Sequence, residues 1–117
     1  MSYDICLKDP ETGEVIEFEE RHNMIGGTYE IGGTTAAHLN VTYNYEKFFR
    51  GFGSEGIRTI YGKTGNESIP FLACMISSLG TNRSNDYWEA TEGNARAALE
   101  NLLRLALMAP HGVWDGD

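Results

Sequence analysis

The chain has 117 residues, 41% of them apolar, enough to bury one core and to form one domain over residues 1–117. Seventeen acidic residues outnumber nine basic ones, a net charge of -8, which argues against direct nucleic-acid binding and against anionic membrane surfaces, where Lys and Arg supply the attraction. No apolar run approaches the about 20 residues of a membrane span and no basic stretch leads into an apolar one, so a cytoplasmic protein is expected.

Residues Tyr3 to Lys8 alternate, with Tyr3, Ile5 and Leu7 on one face and Asp4, Cys6 and Lys8 on the other, the period of a strand. Asp9-Pro10-Glu11-Thr12-Gly13 is a turn signal, and Glu14 to Glu19 alternates again with Ile16 and Phe18 inward. An N-terminal hairpin with an acidic tip is the expected result. Glu14, Glu17, Glu19 and Glu20 line its second strand, where charge keeps an edge soluble and also suits docking on a basic partner.

Two glycine doublets follow, Gly26-Gly27-Thr28 and Gly32-Gly33-Thr34, around the short strand candidate Tyr29-Glu30-Ile31. Doublets imply sharp bends or close backbone approaches. From Ala37 the alternation is clean: Ala37, Leu39, Val41 and Tyr43 face a core, and His38, Asn40, Thr42 and Asn44 form a polar row on the other side. Strand 37–43 is the best strand of the chain.

Asn44 is placed to cap a helix carrying Tyr45, Phe48, Phe49 and Phe52, ended by Gly51 or Gly53. Ser54 opens another turn or two with Ile57, Ile60 and Tyr61, stopped by Gly62, before a polar link from Lys63 to Glu67. Ile69, Leu72, Ala73, Ile76 and Leu79 repeat at helical spacing, with Pro70 in the first turn and Gly80 past the end. Thr91 opens the longest helix, striped by Ala95, Ala98, Leu99, Leu102, Leu103 and Ala106 and closed by Pro110. The aromatic tail around Trp114 is expected to fold back onto the sheet or the last helix. Strands before helices predict an α+β fold, a small antiparallel sheet (N-terminal hairpin plus strand 37–43) packed against about three helices.

His22, His38 and His111 are far apart and neither cysteine lies near a histidine at ligand spacing, so no metal site and no cofactor is expected. Cys6 and Cys74, each among apolar neighbours, are expected to be buried reduced thiols, and no general acid–base pair stands out. The glycine segment lacks the dinucleotide and phosphate-loop spacings. Turns and tight packing explain it more simply, although Gly26, Gly27, Thr28, Gly33 and Thr34 beside His38, Asn40, Thr42 and Asn44 would also form a site for a small nucleotide-like ligand. Tyr87 and Trp88, in a polar loop, are candidate anchors of a recognition surface.

The combination of Gly26-Gly27-Thr28-Tyr29, Leu39-Asn40-Val41-Thr42-Tyr43-Asn44-Tyr45, Ile60-Tyr61-Gly62, Asp86-Tyr87-Trp88 and Gly112-Val113-Trp114-Asp115-Gly116-Asp117 resembles a functionally uncharacterised group of small phage, prophage and bacterial proteins. The likeness runs from Tyr3 to the C-terminus. It implies a stand-alone accessory protein of mobile-element type that binds or inhibits something of the host, and it transfers no catalytic residue. The expected function is therefore non-enzymatic: binding a basic host protein through the acidic surface, with sequestration of a small nucleotide-like ligand as the alternative and an enzyme of unknown type third.

Overall fold

The computed structural model describes residues 2–27, 33–86 and 88–117, the side chain of Phe52 excepted. Thr28, the strand candidate Tyr29-Glu30-Ile31, Gly32 and Tyr87 lie outside the described residues. The fold is α+β. β1 (Ser2–Lys8) is the centre of a three-stranded antiparallel sheet, flanked by β4 (His38–Thr42) and β5 (Val113–Gly116). β2 (Glu17–His22) and β3 (Thr34–Ala36) form a second, two-stranded antiparallel sheet. Three helices complete the described elements: α1 (Glu46–Phe49), α2 (Gly65–Ser78) and α3 (Glu92–Met108), with 3-10 turns at Tyr43–Tyr45, Arg50–Phe52 and Gly56–Ile60.

The hairpin expected at the N-terminus forms only at its tip. Asp9 N–H donates to the Glu14 carbonyl, Gly13 takes a φ of 73°, and Val15 bridges Lys8. Beyond that point β1 cannot pair with β2, because β4 occupies its edge from Ser2 to Cys6. The chains separate at a three-way junction: Leu7 N–H donates to the Ala37 carbonyl, Ile16 N–H to the Leu7 carbonyl, and Ala37 N–H to the Ile16 carbonyl. At this junction the strand continuing from β3 into β4 changes partner, from β2 to β1.

One apolar core runs from Tyr3 to Trp114. The inward residues of the sheet, Tyr3, Ile5, Leu7, Leu39, Val41 and Trp114, are all buried, as the period of two requires. They meet Leu72, Met75 and Ile76 of α2 and Leu99, Leu102 and Leu105 of α3. The tail folds back as the third strand, and its other edge meets the 62–64 segment, since Trp114 N–H donates to the Lys63 carbonyl and Gly62 N–H to the Trp114 carbonyl.

Three local expectations are corrected. Helix α2 starts at Gly65 with Thr64 as its N-cap, so Gly65 to Glu67 of the expected polar link form its first turn. Thr64-Gly65-Asn66-Glu67 is a capping box in which the Thr64 side chain and the Glu67 side chain satisfy each other's backbone N–H, and this outweighs the Pro70 signal, leaving Pro70 inside the helix. Cys74 is exposed, because the buried stripe of α2 passes through Leu72, Met75, Ile76 and Leu79; Ala73 is exposed with it. The N-cap after β4 is Thr42, whose hydroxyl accepts the Asn44 N–H at 3.2 Å, and not Asn44.

Candidate functional site

The acidic arm is built from the turn and β2. Asp9 Oδ1 accepts the N–H groups of Glu11 and Thr12, which closes the turn, and Thr12 Oγ1 accepts the Glu14 N–H. Ile16 and Phe18 point back and pack against the core. Glu14, Glu17, Glu19 and Glu20 are all exposed. A register irregularity between Glu17 and His22 adds twist to the arm.

Its far end is pinned by His22, which is buried at 8% exposure. The Ala36 carbonyl 2.7 Å from Nε2 accepts and the Met24 N–H 3.4 Å from Nδ1 donates, partners that match the tautomer with its proton on Nε2. Between Asp9 and Glu20 the chain carries six carboxylates and no Lys or Arg. Among the described residues, no ion pair reaches Glu14, Glu17, Glu19 or Glu20; the Thr35 hydroxyl donates to Glu17 at 2.6 Å.

The polar row of strand 37–43 divides. His38 Nε2 lies 3.3 Å from Asp4 Oδ1, and Asn40 Nδ2 donates to the same oxygen at 2.6 Å. Thr42 leaves the row: it is buried and spends its hydroxyl on the cap. Asn44 lies on the following 3-10 turn and donates from Nδ2 to the Trp88 carbonyl at 2.8 Å. Trp88 is half-buried and lies beyond the C-terminal end of β4, whereas the arm joins at the N-terminal end. The two candidate protein-binding patches are therefore at opposite ends of one strand.

The glycine candidates are packing positions. Gly26 accepts Thr42 N–H and pairs beside Val41, where an added Cβ would lie 2.7 Å from the Asn40 carbonyl oxygen. Gly27, at φ 83°, fits against the Tyr45 ring, and burial pushes the Tyr45 hydroxyl up to about 12. Gly33, at φ 72°, lies over Asn23 and the His22 carbonyl. Thr34 Oγ1 accepts the Ala36 N–H. Gly26 and Gly27 meet β4 through its backbone edge and buried side chains, while His38 and Asn40 turn to Asp4.

Asp4 lies on the outer face of β1, as its alternation predicts, and joins His38 and Asn40 there. The signal for this convergence is the register: Asp4 stands opposite Asn40, and Cys6 opposite both His38 and Asp115. Lys8 Nζ pairs with Asp115 at 2.6 Å and holds its carboxyl below the ordinary range. Burial, with Asp115 and Asp4, pushes the Cys6 thiol up against the opposing pull of Lys8, so this cysteine is held protonated beside its imidazole neighbour. Among the described residues no three His, Cys, Asp or Glu side chains are grouped to hold a metal ion, and no helix is long and apolar enough to cross a membrane. No protein-family model matches the chain, and no curated protein or solved structure matches it either.

Proposed function

We propose that this chain is a non-enzymatic accessory protein of phage or mobile-element origin that acts in the cytoplasm by docking its acidic arm on a basic surface of a host protein. A nucleic-acid-handling factor, whose own ligand is polyanionic, is the fitting class of partner, and occupying its basic surface would inhibit it. One observation carries the reading: Glu14, Glu17, Glu19 and Glu20 are exposed on a two-stranded arm without a counter-ion among the described residues. Like charges on neighbouring strand positions repel, and a chain folding for stability alone gains by interspersing cations. The resemblance of the glycine, LNVTYNY and GVWDGD motifs to phage and prophage proteins supports the same reading.

The test is capture from a host extract with wild type and with Glu14→Lys/Glu17→Lys/Glu19→Lys. A basic protein retained by wild type, released by raising the salt well above 0.15 M and absent from the variant capture is the expected result. Equal capture by the variant, or capture indifferent to salt, rejects the arm as the docking surface.

A further inference from the structure

On the side of α3 facing the link from β2 to Gly26 the surface is hollowed into a cleft of about 490 Å³. Ala97, Glu100, Asn101 and Arg104 reach it from one face of the helix, at the three- and four-residue spacings that bring side chains into line. The opposite wall, residues 22–25, is fixed at both ends: His22 is bonded to the Ala36 carbonyl, and Asn101 Nδ2 donates to the Ile25 carbonyl at 2.8 Å. Arg83 closes the rim from the loop that precedes α3.

The arginines of this chain are otherwise engaged. Arg50 pairs with Glu46, Arg58 donates to the Asp117 carbonyl and stacks on Tyr3, Arg96 pairs with Glu100, and Arg21 also has a partner. Arg83 and Arg104 alone have neither hydrogen bond nor ion pair among the described residues, and both line this cleft. In a protein of net charge -8, two guanidinium groups without a hydrogen bond or ion pair among the described residues line one hollow that holds a single carboxylate. Glu100, the one carboxylate of the cleft, is already drawn to Arg96 at 3.0 Å.

We propose that this cleft binds a small soluble phosphorylated molecule, with Arg83 and Arg104 gripping the phosphate and Met24, Ile25 and Ala97 contacting the remainder. Guanidinium forks match phosphate oxygens in charge and in donor geometry. The volume lies within the range of small-ligand sites and exceeds what a bare phosphate fills. Polynucleotides and anionic membranes present extended negative surfaces that the remaining charge of this protein repels, so a compact soluble anion is the occupant that fits. This place is distinct from the outer sheet face with His38, and it meets the acidic arm only at His22, the last residue of β2.

The test is an amide-resolved NMR titration of the whole chain with inorganic pyrophosphate. Saturable shifts confined to residues 22–25, 83 and 97–104, weakened roughly tenfold or more by Arg83→Gln/Arg104→Gln and strengthened by Glu100→Gln, are expected. The substituted side chains are solvent-facing, and unchanged amide spectra of the unliganded variants establish that they fold. Shifts scattered over Lys8, Lys47 and Lys63, equal shifts in the double arginine variant, or no saturable shift would each overturn the proposal. So would a concentration-dependent dimer that seats the acidic arm of a second copy in the cleft.

Discussion

The indole Nε1 of Trp114 donates to the Ser68 hydroxyl at 2.7 Å, joining the last strand to the second turn of α2 inside the core. Ser68 donates its own hydroxyl hydrogen to the Gly65 carbonyl at 2.7 Å, so one hydroxyl accepts from a strand residue and donates to the helix backbone. Both side chains are buried, Trp114 at 1% and Ser68 at 0% exposure. Ser68→Ala strands the indole N–H without water or partner and is expected to cost about 1–3 kcal/mol in chemical denaturation. Trp114→Phe combined with Ser68→Ala should cost less than the sum of the two single changes, because the orphaned donor is then gone.

Gly27 tests whether the glycine doublets serve packing. Its φ of 83° disfavours any Cβ, and that atom would collide with the Tyr45 hydroxyl. Gly27→Ala is expected to lower stability by about 2 kcal/mol or more. Gly13→Ala, also at positive φ but with open space around it, should cost less, since it bears the conformational penalty alone. Equal losses at the two positions would separate Gly27 from the contact with Tyr45.

The thiols should differ in reactivity. Cys74 is exposed on α2, whereas Cys6 is buried on β1 and its thiol is pushed up by burial. A thiol reagent at neutral pH is expected to modify Cys74 in the folded protein and Cys6 only after unfolding, read by mass spectrometry of peptides.

Acid sensitivity has one identifiable contribution at the start of α2. The Thr64 backbone N–H, 2.9 Å from Glu67 Oε1, is the main influence holding the Glu67 carboxyl below its ordinary 4.5, with the Thr64 hydroxyl adding to it. A folded value below the unfolded one means that this stabilisation is complete above pH 4.5 and is lost as pH falls through the folded value. Glu67→Gln retains the cap without the titration, so its melting temperature should fall less than that of wild type below pH 4.5.

Alternation and helical spacing made most elements legible. Tyr3, Ile5 and Leu7 of β1, Leu39 and Val41 of β4, and Ala95, Ala98, Leu99, Leu102 and Ala106 of α3 lie inward as their periods require, while Leu103 is half-buried. The capping box at Thr64 and Glu67 was equally readable and was obscured by Pro70. What local pattern does not carry is pairing. Nothing in the turn at Asp9–Gly13 indicates that Val113–Gly116, a hundred residues away, and His38–Thr42 would take the edges of β1 and send β2 to a separate sheet. The site followed the same division: the exposed carboxylates of β2 were visible in the chain, while the convergence of Asp4 with His38 and Asn40, and of Arg83 with Arg104, depends on register and tertiary packing.

Native mass spectrometry of the chain purified gently from its host decides whether the acidic arm holds a basic host protein. An added mass belonging to a basic protein is expected with wild type and is lost in Glu14→Lys/Glu17→Lys/Glu19→Lys, while the variant keeps the wild-type charge-state distribution of a folded chain. An added protein mass that persists in that variant, or a wild-type chain that carries no protein partner at all, would contradict docking through the arm.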